Sequence, residues 1–206
     1  MKELYIIRHG ETDFNKQGIV QGRGVDPPLN ETGRRQAQLF FEKYQNEGFE
    51  IVYTSSLQRA QESVRSFVEK KIPWEAHSEL DEISWGIFEG KPATHGFKME
   101  YRNLLEEWER GNLIAKAESG ESPLEVSRRQ QKFIDYMLAR PESKILICMH
   151  GRAMRIFLPT LLKQDLRVME DYPHHNLTLY KVIFDGNRFT IGLFNNMDHL
   201  HVNEKD

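Results

Sequence analysis

Near the start of the chain stands the stretch Leu4-Tyr5-Ile6-Ile7-Arg8-His9-Gly10, an apolar run that ends abruptly in two basic side chains and a glycine. Such short apolar runs are typical of strands that are buried on both faces of a sheet. The stretch Lys144-Ile145-Leu146-Ile147-Cys148-Met149 repeats the pattern and ends in His150-Gly151. We therefore predict two central strands, each followed by a histidine and a glycine.

Helical patterns alternate with further strands on either side of these two. Capping residues, helical spacing of apolar side chains and the Asp185-Gly186-Asn187 turn mark the boundaries. The additional predicted elements are a helix capped by Asn30 and ended by Gly48, a strand at 51–53, a helix at 57–68 capped within Thr54-Ser55-Ser56, a helix at 123–139 opened by the capping box Ser122-Pro123-Leu124-Glu125, a helix at 151–161, and strands at 177–184 and 189–194.

This alternation predicts an α/β fold, a three-layer α/β/α sandwich with a mostly parallel central sheet and a hairpin toward one edge. The length of 206 residues suits a single domain over residues 1–206, and no internal linker is visible. Residues 84–121 are rich in aromatic side chains but show little periodicity. We expect this segment to form an irregular helical cap of short helices and loops.

Composition excludes several classes of protein. With 39% hydrophobic and 29% charged residues the chain is neither disordered nor collagenous, and no apolar run approaches membrane-spanning length. The net charge of −3 gives no overall reason to bind nucleic acid or an anionic membrane. Cys148 is the single cysteine, so neither an internal disulfide nor a cysteine-built zinc site can form. We expect a cytoplasmic protein; the sequence carries no signal for its oligomeric state.

The predicted strand ends carry the chemistry. Ligands of open α/β sheets bind at the carboxyl ends of the strands, so Arg8, His9, Arg59 and His150 can converge on one crevice. The helix N-termini that follow two of these strands are expected to add N–H donors and positive dipole ends. Such a place suits an anion with at least two charges, and phosphate fits best.

Cleavage of a phosphate ester in such a crevice needs one group that attacks phosphorus and another that protonates the leaving oxygen. We see no serine, cysteine or metal placed to attack phosphorus, which leaves a neutral histidine that can form a phosphohistidine. Arginine forks bind phosphate oxygens two at a time. Glu82, between an apolar strand end and aromatic residues, can protonate the leaving oxygen and later activate water. We expect no metal and no cofactor.

An ordered set of motifs over about residues 4–160 resembles the histidine phosphatase (phosphoglycerate mutase-like) superfamily. The matching residues are Arg8-His9-Gly10-Glu11-Thr12, Asn15, Gln21-Gly22, Pro28-Leu29-Asn30-Glu31-Thr32-Gly33, Gln36-Ala37, Ser55-Ser56-Leu57-Gln58-Arg59-Ala60, Leu80-Asp81-Glu82, Gly90, Gly120-Glu121-Ser122 and His150-Gly151.

The resemblance implies a role for each matching position. His9 is then the phosphorylated nucleophile, Arg8, Arg59 and His150 form the phosphate pocket, and Glu82 is the proton donor. Residues expected to contact substrate at the mouth or at the strand end are Thr12, Asn15, Gln21, Gly22 and Gly151. The implied activity is hydrolysis of a small phosphorylated metabolite. Thr12 and Asn15 could instead only organise their loop.

This activity has three alternatives. Two are other activities of the same superfamily, and the third is not an enzyme. A cofactor-dependent phosphoglycerate mutase is disfavoured, because Trp85 holds the position of that branch's tyrosine and no arginine pair occurs in residues 86–121. A fructose-bisphosphatase-like phosphosugar phosphatase remains open through Gly120-Glu121-Ser122. The third alternative is a phosphate-recognising module without catalysis. A cysteine phosphatase needs an arginine after five intervening residues. That position after Cys148 is Met154, and Arg155 stands one place late.

Other notable residues receive more ordinary interpretations. The histidines His174, His175, His199 and His201 match no zinc motif and are assigned surface or loop roles. Arg128 and Arg129 are expected on a solvated helix face. The aromatic residues of the cap are expected mainly in the core. Three cationic residues of the cap stay open as ligands of a second anionic group, namely Lys91, Lys98 and Arg102.

Overall fold

The computed structural model of the chain describes residues 1–201 and shows helices packed on both faces of one six-stranded sheet. The strands are β1 Lys2–Arg8, β2 Ile51–Thr54, β3 Trp74–Ala76, β4 Lys144–Met149, β5 Leu179–Phe184 and β6 Phe189–Asn196. The α-helices are α1 Asp13–Gln17, α2 Glu31–Tyr44, α3 Gln58–Ser63, α4 Arg65–Glu69, α5 His95–Glu109, α6 Pro123–Ala139 and α7 Gly151–Leu162. Short 3₁₀ helices lie at Ser78–Leu80, Gly86–Phe88 and Leu166–Asp171.

Strand order places the two predicted histidine-bearing strands side by side. The order is β3-β2-β4-β1-β5-β6. Strands β1, β2, β3 and β4 run parallel, β5 is antiparallel to its neighbour β1, and β6 is antiparallel to β5. Arg8 pairs with Met149, and Thr54 pairs with Cys148. The carboxyl ends of β1, β2 and β4 therefore meet at one edge, as predicted.

Alternate residues of β1 belong to two separate cores. Leu4 and Ile6 pack in a cluster with residues of α6 and α7, whereas Tyr5 and Ile7 pack with residues of α2, α3 and α4. All four side chains are at most 3% exposed. Because successive side chains of a strand point to opposite faces, burial on both faces confirms the three-layer α/β/α architecture.

Most boundaries follow their predicted signals. The Asn30 side chain accepts a bond from the Gly33 amide, and Ser122 and Glu125 form the predicted capping box. The Asp185 carboxylate accepts bonds from the amides of Asn187 and Arg188 in the hairpin turn. These local bonds position α2, α6 and the antiparallel edge.

Four details differ from the predictions. Helix α2 ends at Tyr44, before Gly48, the residue predicted to end it. The short strand β3 was not predicted, since only three residues extend the sheet there. The helix expected over residues 57–68 is interrupted at Val64. Its predicted serine or threonine cap is wrong, because Leu57 occupies that position and the neighbouring Ser55 and Ser56 side chains bind His150 and Asp81 instead.

The cap is more regular than predicted. Residues 95–109 form a single 15-residue helix, so the expectation of short helices and loops over residues 84–121 is wrong for this part. Its inner face carries buried or half-buried side chains at helical spacing, namely Phe97, Tyr101, Leu104, Leu105 and Trp108. These side chains pack against Trp85 and α7 residue Ile156 in a third apolar cluster. Within residues 1–201, none of the helices has the length and apolar character needed to cross a membrane.

Backbone packing behind the β1 end depends on Gly33. A methyl group at Gly33 would overlap the Glu11 carbonyl oxygen and approach the Glu11 amide nitrogen to 2.7 Å. Gly33→Ala should therefore lower the free energy of unfolding by roughly 1–3 kcal/mol through overpacking. Urea unfolding measures the effect. Gly96→Ala is the matched control, because its nearest heavy atom would lie 3.9 Å away and stability should not fall. An unchanged midpoint for Gly33→Ala would contradict this packing.

Candidate active site

The carboxyl ends of β1 and β4 place two imidazole rings against each other. The ring centroids of His9 and His150 lie 5.1 Å apart, and the residues are 3% and 0% exposed. Arg59, from α3, is also fully buried. The structure thus brings His9, His150 and Arg59 to the same strand edge, next to Arg8 at the end of β1.

The hydrogen bond of His9 fixes which of its nitrogens can attack. Its Nδ1 atom lies 2.7 Å from the Gly10 carbonyl oxygen. A carbonyl oxygen only accepts, so Nδ1 must donate its hydrogen and Nε2 keeps a free lone pair. Burial, followed by the charges of Arg59 and Arg8, holds the pKa of His9 well below its usual value. His9 is therefore a neutral imidazole with Nε2 as the nucleophilic atom.

Ser55 orients the second imidazole. The Ser55 hydroxyl accepts a bond from the Leu57 amide and lies 2.6 Å from His150 Nε2. Burial lowers the pKa of His150 well below its usual value, so the ring is neutral. A serine hydroxyl can donate to Nε2 of the neutral ring, and the hydrogen of His150 then resides on Nδ1, a buried atom without a protein partner.

The two arginines each keep one nitrogen free. Arg59 donates through Nη1 to the Val25 carbonyl at 2.8 Å and through Nη2 to the Gly22 carbonyl at 3.1 Å. Its buried Nε atom has no partner, and neither has Nε of Arg8. Burial lowers the pKa of Arg8 to about 10, so its guanidinium still stays charged at neutral pH.

At this site three buried nitrogen atoms thus lack a hydrogen-bond partner in the protein: Arg8 Nε, Arg59 Nε and His150 Nδ1. Buried polar groups in proteins are nearly always hydrogen-bonded, and an unpaired one costs free energy. Two of the three belong to positively charged side chains, which makes an oxyanion the chemically matching ligand.

The Glu82 carboxylate lies at the N-terminus of α7, one of the helix ends that were expected to bind the anion. Its Oε1 accepts bonds from the Ala153 and Ile83 amides at 2.7 and 2.9 Å, and its Oε2 from the Arg152 amide at 3.1 Å. At α3, the Gln58 amide likewise donates to the Asp26 carboxylate. The expectation that these helix ends serve the phosphate directly is corrected: the amides identified here position protein carboxylates.

A cavity of about 310 Å³ opens beside these groups. Arg8, Glu82 and Gly151 line it, whereas His9, His150 and Arg59 are not among its lining residues; His9 and His150 are the chain neighbours of Arg8 and Gly151. Asn15 and Gln21 also line it, as predicted for the mouth.

Thr12 and Gly22 do not line this cavity. Thr12 is fully buried, caps α1 and donates through its hydroxyl to Gln21 Oε1 at 2.9 Å, so it organises this loop. Gly22 is buried as well, and its carbonyl holds Arg59. Thr12 therefore positions Gln21, which lines the cavity, and Gly22 positions Arg59.

His174 belongs to this site although it was predicted to have a surface or loop role. It lines the cavity, and its Nδ1 lies 3.3 Å from Arg8 Nη1. Arginine can only donate, so His174 Nδ1 accepts and its Nε2 carries the hydrogen. Burial, then the nearby Arg8, lowers the pKa of His174 to about 2. His174 precedes β5, and the antiparallel pairing of Leu179 with Ile7 near the end of β1 brings it to the site, which no local sequence pattern indicates.

Arg129 also has a different environment from the predicted solvated face. It is 13% exposed and donates to the Glu82 carbonyl at 3.0 Å, the Glu79 carbonyl at 2.7 Å and the Glu121 carboxylate. It faces the loop that carries Glu82, which explains the difference, whereas Arg128 is exposed as predicted.

The other histidines do not join the site. His199 packs against the rings of Phe40 and Tyr44 and is 4% exposed, a core role in place of the predicted surface one. His175 and His201 are exposed. Over residues 1–201, no group of three or more His, Cys, Asp or Glu side chains is arranged to hold a metal ion. Cys148 is fully buried, and burial raises the pKa of its thiol.

The sheet is mostly parallel, and two buried imidazoles, two arginines and a carboxylate lie at its strand ends. This arrangement is typical of α/β proteins that bind phosphate. The model of the histidine phosphatase superfamily (branch 1) matches residues 4–197, nearly the whole chain. The chain belongs to this superfamily.

Known proteins agree with that membership. A probable phosphoglycerate mutase GpmB of Yersinia pestis (strain Pestoides F) is 32% identical over 164 residues, which cover 79% of this chain and 75% of the relative. YhfR of Bacillus stearothermophilus superposes with a TM-score of 0.84 at 25% identity, over 97% of this chain and 100% of that one. A putative alpha-ribazole-5'-P phosphatase from Escherichia coli shares the fold, with a TM-score of 0.81 at 23% identity, over 95% and 96% of the two chains.

The hydrogen bond between His174 and Arg8 yields a prediction. His174→Ala removes the acceptor that orients a charged guanidinium, an interaction of about 1.5–3 kcal/mol. The kcat/KM for a phosphomonoester should fall roughly 10- to 100-fold. His175→Ala is the control, because its side chain is exposed one residue away. Equal activities of the two variants would show that His174 does not position Arg8.

Proposed function

We propose that the protein is a metal-independent phosphomonoester hydrolase that acts on a small phosphorylated metabolite through a phosphohistidine. The observation that carries the proposal is the arrangement of His9. Its Nε2 lone pair is free, and its ring contacts His150, whose buried Nδ1 lacks a protein partner, as do Arg8 Nε and Arg59 Nε. A neutral nucleophile beside positively charged donors is the arrangement that phosphoryl transfer requires.

In the first step, His9 Nε2 forms a bond to phosphorus while the bond from phosphorus to the ester oxygen breaks. Arg8, Arg59 and His150 donate to the phosphoryl oxygens and stabilise their charge. The leaving oxygen takes a proton from Glu82 in its protonated form. In the second step, Glu82 accepts a proton from water, whose oxygen forms a bond to phosphorus while the bond from phosphorus to His9 Nε2 breaks. Inorganic phosphate leaves, and both His9 and Glu82 return to their starting forms.

The surroundings of Glu82 support its place in this scheme. Glu82 is one of the cavity-lining residues, three amides donate to its carboxylate, and Arg129 donates to its main-chain carbonyl. Two other nearby carboxylates have different partners. Asp81 accepts bonds from Ser56 and Arg23, and Glu11 accepts one from Asn30.

Transfer to a sugar acid is the second candidate, because the relative from Yersinia pestis is described as a probable phosphoglycerate mutase. Such a substrate carries a carboxylate as well as phosphate. Trp85 lines the cavity beside Glu82, and Lys91, Lys98 and Arg102 are exposed on the cap without lining it. This arrangement favours transfer to water.

The phosphohistidine can be trapped directly. Brief incubation with a labelled phosphomonoester and denaturation without acid should leave label on His9, identified by peptide mass spectrometry. His9→Ala should abolish both label and turnover, whereas His95→Ala, an exposed histidine of the cap, should retain them. Label at a serine, stable to acid, would sink the scheme.

Dependence on metal is tested on the same enzyme. Because arginine and histidine donors counter the phosphate charge, turnover should persist in excess chelator, and vanadate should inhibit as a five-coordinate analogue of the transferring group. Loss of activity in chelator that magnesium or zinc restores would require a metal that this scheme lacks.

The acid role of Glu82 depends on the leaving group. Glu82→Gln should reduce kcat/KM for an alkyl phosphate by roughly 10²- to 10⁴-fold but much less for an aryl phosphate with an acidic phenol, which leaves without a proton. Arg59→Lys should harm both esters alike, because it alters contacts to phosphoryl oxygens that all substrates share. Equal damage to both esters in Glu82→Gln would remove Glu82 as the acid.

A further inference from the structure

The cavity wall beyond the phosphate-binding groups is formed largely by apolar and aromatic side chains. Its members from the α1 region and the cap include Phe14, Ile19, Trp85, Ala93, Phe97 and Tyr101. The Trp85 ring lies 5.3 Å from that of Tyr101, and Phe97 stacks on Tyr101 with centroids 5.7 Å apart. These rings pack on one another and present a continuous aromatic surface.

Among the described residues that line the cavity, the cationic ones are Arg8 and Arg152. Arg8 belongs to the phosphate group. Arg152 is 6% exposed, and its fork is occupied by the Glu170 carboxylate and the Tyr101 hydroxyl. Its guanidinium carbon also lies 5.6 Å from the Tyr101 ring centroid and 5.5 Å from that of Trp108. Its donors are therefore engaged within the protein, and the same Glu170 carboxylate also accepts a bond from Arg155 Nη1 at 2.6 Å.

Cationic side chains near the mouth are also engaged or directed elsewhere. Arg23 pairs with Asp81 and Glu121, each at 3.3 Å. Lys98 and Arg102, on the cap helix, are exposed and do not line the cavity. A carboxylate or second phosphate on the substrate would lose its hydration against aromatic rings with no free cation from these side chains in exchange.

Resting on the proposed function, we infer that the substrate carries a single phosphoryl group and that its alcohol part is uncharged and largely apolar, with a planar ring. The cavity volume of about 310 Å³ is at the lower end of small-molecule sites, which suits an alcohol with one ring. Stacking on Phe97 and Tyr101 would hold this ring while the phosphoryl group reaches His9.

Two matched esters test the inference. Benzyl phosphate and 4-(carboxymethyl)benzyl phosphate have similar leaving alcohols and differ by one remote negative charge. We expect kcat/KM to be at least tenfold lower for the charged ester, and lower for propyl phosphate, which lacks the ring, than for benzyl phosphate. Equal or higher activity on the charged ester would overturn the inference, although hydrolysis through His9 would stand. Absence of turnover and of phosphohistidine with every ester would instead reject the proposed function.

Variants of the cap helix locate the ring. Phe97→Ala should lower kcat/KM for benzyl phosphate at least tenfold with little effect on propyl phosphate. Met99→Ala, which changes a 39% exposed residue of the same helix, should change neither. Phe97→Arg should narrow the gap between the charged and uncharged benzyl esters. Equal losses on benzyl and propyl phosphate in Phe97→Ala would show that Phe97 supports the fold without contacting the alcohol.

Discussion

Burial of hydrogen-bond donors that have no acceptor is the constraint around which this molecule is organised. Arg8 Nε, Arg59 Nε and His150 Nδ1 are all removed from water and unpaired in the protein. Each such group costs about 1–3 kcal/mol, and charged groups cost more. The two apolar cores on either side of β1 supply the stability that tolerates this cost, and an oxyanion supplies the acceptors. Under the proposed function, these donors are in place before the phosphoryl group binds.

The register of the strands determines the positions of these side chains relative to one another. Parallel pairing of β1 with β4 aligns Arg8 with Met149, so the residues that follow, His9 and His150, leave the sheet side by side. The β2 end lies beside β4 and delivers Ser55, which sets the tautomer of His150. A one-residue change of register would turn these side chains to opposite faces. The relative positions of His9, His150 and Ser55 are therefore set by the register of the sheet.

Sequence reasoning located this edge because short apolar runs that end in polar residues are strong local signals. His9, Arg8 and His150 follow directly from the strand ends, and Asn30 and Ser122 from capping chemistry. His174 and Arg129 were misjudged, since their roles depend on contacts with Arg8 and with the Glu82 loop that no local pattern encodes. Helix periodicity in residues 95–109 was present but obscured by the aromatic residues around it.

The central claim is that His9 receives the phosphoryl group before water does, and stereochemistry at phosphorus tests it most directly. The substrate is a thiophosphate monoester made chiral at phosphorus with oxygen isotopes and hydrolysed in isotopically labelled water. Two successive in-line displacements, the first by His9 Nε2 and the second by water, invert the configuration twice. The account predicts inorganic thiophosphate with overall retention of configuration. Inversion would mean that water attacks the ester directly and would contradict the account.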